Sequence, residues 1–244
     1  MKRQFWILLL VVMLLGLAQP VGANDGFYVI AGSRGVGKAI TPTTSLPYTI
    51  SQPGFYYLTG NLSYSGTGQA IYITTSEVTL DLMGFSISGP GSGGTAEGIA
   101  ITNLIINNVE VRNGQVKNFY YGVDSASGNR NVRFSNLKVS GCYVGIRCVG
   151  DSIIISGCEA TGNDIGLSNS GACALIDKNV AAYNNTYGFA LSCNGVITNN
   201  VAYGNHTGFS LAANNKQLID RNSSAGNSIN WSNLPGCTVG LNTP

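Results

Sequence analysis

The stretch Asn205-His206-Thr207-Gly208-Phe209 is one statement of a phrase that this chain repeats. Its glycine recurs as Gly98, Gly122, Gly145, Gly166, Gly188 and Gly208, at spacings of 24, 23, 21, 22 and 20 residues. Ile99, Val123, Ile146, Leu167, Phe189 and Phe209 follow these glycines in turn. A unit this short buries no apolar face of its own and must stack on copies of itself.

A second register runs through Asn113, Asn136, Cys158, Asn179, Asn200 and Asn222, each shortly before the next step of the repeat. Short apolar or β-branched runs precede these positions, among them Val109 to Val111, Val132 to Phe134 and Ile153 to Ile155. Their period is two, and no helical period appears beyond the leader. Consecutive repeats are therefore expected to pair in parallel as a coil of strands. The repeated glycine is assigned to a corner that needs positive φ, and the asparagines to a stacked amide ladder with Cys158 as an interloper.

Residues 1–23 read as a signal peptide: Lys2 and Arg3, an apolar run from Phe5 to Ala18, then Val21-Gly22-Ala23. The run is shorter than the ~18–20 apolar residues of a membrane span. Secretion, to the periplasm, cell surface or medium, is the expectation, with no membrane contact after cleavage. Residues 24–44 read as a polar, glycine-rich arm, and 45–244 as one repeat domain.

Without Lys2 and Arg3 the chain carries 11 basic and 11 acidic residues. That balance supplies no field for holding a nucleic acid. Six cysteines in an exported chain allow three disulfides in 15 pairings. Cys173 and Cys193, nearly one repeat apart, are the candidate pair, with buried thiols as the alternative. No CxxC or CxxH spacing marks a zinc site.

The segment Val78-Thr79-Leu80-Asp81-Leu82-Met83-Gly84-Phe85-Ser86-Ile87-Ser88-Gly89 resembles the first-rung signature of exported bacterial right-handed parallel β-helix proteins of the pectin-lyase-like superfamily. The Asn-x-x-Gly-[Ile/Phe] phrase is similar to that family's generic repeat. The resemblance covers roughly 45–240 and implies an all-β, right-handed parallel β-helix (solenoid) of about eight rungs. Ser88-Gly89-Pro90-Gly91-Ser92-Gly93-Gly94 is an insertion in the regular stack.

Chemistry is sparse. Gly32-Ser33-Arg34-Gly35-Val36-Gly37-Lys38 lacks the Ser or Thr of a phosphate-binding loop, Ala39 standing in its place. His206 is the sole histidine, placed in a turn with no acid at the matching position of a neighbouring repeat. The Asn-Thr-Asp, Asp-Asp and Arg-x-Lys motifs of the family's hydrolases are missing. Two residues past the repeat glycine, Asp124 and Arg147 fall on adjacent repeats, at about the 4.8 Å strand spacing.

Residues 110–151 hold Arg112, Lys117, Arg130, Arg133, Lys138 and Arg147 against Glu110, Asp124 and Asp151. Tyr120, Tyr121 and Tyr143 lie among them. Arg112, Lys117, Tyr120, Tyr121, Arg133, Lys138 and Tyr143 are the candidate substrate-binding residues, with rings stacking on sugars and cations pairing with carboxylates or sulfates. The leading reading is a non-catalytic protein that binds an extended polymer, such as an acidic polysaccharide, on its outer face. One alternative is a polysaccharide lyase or epimerase, with Arg147 as base and Asp124 as a calcium or orienting ligand. The other is a surface or adhesion protein meeting a protein partner through an apolar stripe of Ile154, Leu175, Val196 and Leu218, which alternation turns outward and a local shift would turn inward. No cofactor is called for apart from Ca2+ under the lyase reading.

Overall fold

The computed structural model describes residues 37–41, 44–101, 105–172, 174–212, 216–232 and 238–243. The signal peptide, most of the 24–44 arm, the Gly32–Val36 part of the glycine-rich motif and Cys173 lie outside the described residues. The residues from Gly37 onward form one compact unit. Its strands pair in parallel and make a β-solenoid with two sheets, one of nine strands and one of sixteen.

The nine-stranded sheet gives nine turns among the described residues, in line with the eight or so expected. It stacks Tyr48–Ile50, Gln69–Ile73, Glu97–Ile101, Tyr121–Ser125, Val144–Cys148, Ile165–Asn169, Tyr187–Leu191, Thr207–Leu211 and Ile229–Ser232 in chain order. The early turns carry little of the glycine phrase. The strand Lys38–Ile40 pairs with Gly54–Leu58 and buries Ile40 completely, so part of the stretch read as an arm belongs to the sheet.

Packing follows period two. Ile71, Ile99, Val123, Ile146, Leu167, Phe189 and Phe209 form one inward column, with Trp231 continuing it. The rings of Phe189, Phe209 and Trp231 stack at centroid distances of 4.5 and 4.3 Å. Across the interior the column Val116, Val139, Ala160, Ala181, Ala202, Ser224 shrinks as this one grows. Volume is exchanged between the columns, and the core stays filled, as close packing demands.

The repeated glycines serve a purpose different from the one their spacing suggests. None of Gly98, Gly122, Gly145, Gly166, Gly188 and Gly208 has positive φ. A Cβ on Gly166 would instead sit 2.7 Å from the Gly188 carbonyl oxygen and 2.8 Å from Asn184 Nδ2. Close approach of backbone to backbone selects glycine here. Positive φ belongs to neighbouring corners, one occupied by Asn113, Asn136, Gly157, Lys178, Asn199 and Arg221, the other by Asn118, Gly141, Gly162, Tyr183, Gly204 and Gly226.

Asn113 and Asn136 are therefore corner residues and lie outside the buried ladder, one position before it. The buried ladder begins at Cys158 and continues through Asn179, Asn200, Asn222 and Asn242. Each Asn side-chain oxygen accepts the preceding member's backbone N–H, while Asn179, Asn200 and Asn222 each donate through Nδ2 to the next member's oxygen. A second ladder, Cys142, Asn163, Asn184, Asn205 and Asn227, runs beside the repeat glycines. Both start with a cysteine. Burial pushes the Cys142 and Cys158 thiols up to about 11, so they stay protonated. Cys158 Sγ–H then faces the Phe134 carbonyl at 3.6 Å, where later members place an amide.

Candidate functional site

Asp124 and Arg147 are cross-strand partners in the nine-stranded sheet, as the two-residue count from the glycines predicts. Arg147 Nε donates to Asp124 Oδ1 at 2.7 Å and its Nη2 to Oδ2 at 3.3 Å. The guanidinium also lies over the Tyr121 ring, 4.4 Å from its centroid. Glu97 occupies the register position beside Tyr121. Tyr120 stacks on Tyr143 at 4.7 Å with an interplanar angle of 11°, and tilts against Tyr121 at 4.6 Å. One aromatic and ionic cluster thus spans three turns.

This geometry removes Arg147 from the role of base. Burial alone would lower its pKa, but the hydrogen bond and charge of Asp124, with Tyr121 and Glu97 behind it, raise it above the ordinary arginine value. A guanidinium held this way keeps its proton. Asp124 is 5% exposed, and both of its oxygens are taken by Arg147, which leaves it unsuited to calcium. Among the described residues no three His, Cys, Asp or Glu side chains gather as metal ligands. Arg147 keeps further N–H donors on a partly exposed side chain, so its chemistry is orientation and donation.

Burial raises Asp124, against the opposing hydrogen bond and charge of Arg147. Burial also raises Glu97, with the Asp124 charge adding to it and a Gln69 hydrogen bond opposing. An acid whose folded pKa exceeds its unfolded one contributes most below the unfolded value and loses that contribution as pH rises through the folded value. Glu97→Gln is accordingly expected to match the parent near about pH 3 and to be the more stable protein at about pH 7. Urea midpoints across that range test this; a parent that gains on the variant as pH rises would contradict it.

The anticipated basic patch does not assemble. Arg112 binds Asp81 at 2.8 Å and Glu110 at 3.1 Å, and Lys138 approaches Glu159 at 3.7 Å. Arg112 and Arg133 lie on the sixteen-stranded sheet before the Asn113/Asn136 corner, and Lys117 and Lys138 after it. Asp81 and Glu159, from turns outside 110–151, pair with Arg112 and Lys138, which a count within that stretch misses. Only Tyr120, Tyr121, Tyr143, Asp124 and Arg147 converge. Of the two orientations open to the apolar stripe, the outward one holds: Leu175, Val196 and Leu218 are exposed and Ile154 is half-buried. His206 is an exposed turn residue.

The glycine-rich insertion is pinned. Gly89 N–H donates to the Lys117 carbonyl at 2.9 Å, Gly91 N–H to the Asn118 carbonyl at 2.8 Å, and Thr95 Oγ1 to the Thr67 carbonyl at 2.9 Å. With Ser65, Gly66 and Thr67 it lines a half-open hollow of about 260 Å3 that reaches Ala96. The Ala96 carbonyl accepts the Tyr120 N–H at 2.8 Å, so the hollow adjoins the tyrosine stack. The sequence marked the insertion but had no signal for the hollow, because Ser65–Thr67 and Pro90–Ala96 meet only through stacking.

No family model matches the sequence, and no curated protein matches it. Among solved structures, the Dettilon tailspike protein superposes with a TM-score of 0.60 at 12% identity, over 78% of this chain and 42% of that one. The enzymatically active domain of tailspike protein 2 from bacteriophage CBA120 gives 0.48 at 13% identity, over 83% and 47%. This chain spans less than half the length of either. At 12% identity the likeness to the Dettilon tailspike protein is one of architecture, and it agrees with the strand pairing: the chain is a parallel β-solenoid.

Proposed function

We propose that this chain is an exported β-helix of the pectin-lyase-like kind that binds an extended polysaccharide along the solenoid edge carrying Tyr120 and Tyr143. The stacked pair of half-exposed rings carries the reading, beside a guanidinium with spare donors and a hollow lined by the glycine-rich insertion and Ser65–Thr67. Aromatic faces take up sugar rings, and the solenoid repeats that offer along its axis. Glu97 and Asp124 offset Arg147, so stacking and hydrogen bonds, rather than net charge, do the recognising. Acidic and neutral polymers are both admitted by this chemistry.

Retention on a panel of immobilised polysaccharides is expected to change little between low and high salt, since exposed ion pairs are screened and stacking is not. Tyr143→Ala is expected to weaken binding about tenfold, the equivalent of about 1.4 kcal/mol. Unchanged affinity of that variant, or no retention of the parent by any glycan, would reject the proposal. The lyase alternative is read on the same panel with calcium present. Unsaturated uronate products, absorbing in the ultraviolet, would favour it instead.

A further inference from the structure

We infer that Tyr183 and Tyr203 form a second sugar platform on this same edge, so that the ligand is a chain long enough to reach both tyrosine pairs. The inference rests on the polysaccharide reading and adds a length requirement to it. Tyr183 occupies the left-handed corner, φ 55°, that other turns give to Asn118, Gly141, Gly162, Gly204 and Gly226. A bulky residue there carries a backbone cost that glycine avoids, and such outliers collect at functional places. Its side chain gains little burial in return, since Tyr183 is 64% exposed.

The ring lies against the backbone of the next turn. A Cβ on Gly204 would come within 2.8 Å of Tyr183 Cδ1 and Cε1, and one on Gly226 within 2.8 Å of Tyr203 Cε2. Nothing lies within 4 Å of the equivalent point on Gly162, on the preceding turn. Tyr183 therefore sets its Cδ1–Cε1 edge against the Gly204 backbone and keeps most of the ring in solvent. Tyr203, 47% exposed, meets it edge-on at 5.6 Å and 90°, which fixes the pair.

Tyr143 and Tyr183 belong to the same corner, two turns apart, or roughly 10 Å along the axis at the usual strand spacing. The surface between them is polar. Thr186 Oγ1 donates to Asp164, whose two carboxylate oxygens both lie 3.1 Å away, and these side chains offer hydroxyl and carboxylate partners to a sugar crossing the gap. Two platforms joined by one ligand act as linked sites, where the second contact is made at high effective concentration. Affinity should then climb steeply once an oligomer spans both.

The test uses polysaccharides retained by the full chain, cut to size-graded oligomers, with binding measured by calorimetry. Tyr183→Gly restores the residue type of the neighbouring turns and is expected to unfold at the same temperature as the parent or higher. It should bind long oligomers about tenfold more weakly and short ones as the parent does; Tyr203→Ser should do the same. Long-oligomer affinity unchanged in both variants, or short and long oligomers bound equally by the parent, overturns the inference while leaving the Tyr143 site intact. Failure of the parent to retain any polysaccharide overturns both readings.

Discussion

Asn200→Ala is expected to lower the free energy of unfolding by about 4 kcal/mol, among the largest effects of any single substitution in this chain. The side chain is fully buried and makes four hydrogen bonds. Its oxygen accepts from the Asn179 N–H at 2.9 Å and Asn179 Nδ2 at 3.0 Å, and its Nδ2 donates to the Ile176 carbonyl at 2.8 Å and Asn222 Oδ1 at 2.9 Å. Alanine deprives the buried Asn179 N–H and Ile176 carbonyl of this partner, while Asn179 Nδ2 keeps the Ile155 carbonyl and Asn222 Oδ1 keeps the backbone N–H of residue 200. Each such loss costs about 1–3 kcal/mol, tempered by relaxation and by any water that enters. Asn199→Gly is the control: it removes one partly buried hydrogen bond to Asp177 but relieves a φ of 55°, and should move stability by less than about 0.5 kcal/mol. Denaturant midpoints decide the matter, and equal effects of the two variants would show that the ladder is not the stabilising element.

Gly188→Ala is expected to cost about 3 kcal/mol, through contact rather than torsion. The added Cβ would stand 2.7 Å from the Gly208 carbonyl oxygen and 2.8 Å from Asn205 Nδ2. Neither neighbour can retreat, because the Gly208 carbonyl is backbone and Asn205 is a ladder member bound to Asn184 and Asn227. Relief has to come from separating two turns, which breaks sheet and ladder together. Gly162→Ala makes the contrast, since its φ is +63° and nothing lies within 4 Å of the new methyl. It should cost only about 1 kcal/mol, the price of a left-handed alanine. If the two alanine variants lost the same stability, backbone conformation and not close approach would explain the repeat glycines.

The cysteines show how a local reading succeeds and where it stops. Cys158 was legible as an asparagine substitute, because position in the repeat assigns it that role. Cys142, heading the second ladder, went unread, although Asn205-His206-Thr207-Gly208 already displayed the ladder asparagine three residues before the glycine. The Asn113 and Asn136 assignments slipped by one position for a related reason. Both a buried ladder and a left-handed corner favour asparagine, and composition does not separate the two. Only register does.

The candidate site divides in the same way. Counting from glycines brought Asp124 beside Arg147 because parallel pairing preserves sequence order, and it lined up Leu175, Val196 and Leu218 as one stripe. Charge counting over a contiguous stretch failed, because the neighbours of Arg112 and Lys138 include Asp81 and Glu159, a turn away in either direction. The stack of Tyr120 on Tyr143, the hollow beside Ala96 and the exposure of the Tyr183 ring were beyond the sequence, since each depends on side-chain direction at a corner.

The amino-acid sequence by itself determined that this protein is a stack of parallel strands, that hydrophobic residues alternate inward, and which positions recur from turn to turn. Those follow from a short repeat that cannot bury its apolar face alone. Tertiary structure alone decided which charges cancel, why the repeated glycines are glycine, and which tyrosines share an edge. The physical reason is that these are contacts between residues one full turn apart, whose partners are set by register and corner geometry to within a single residue, finer than any periodicity in the sequence resolves.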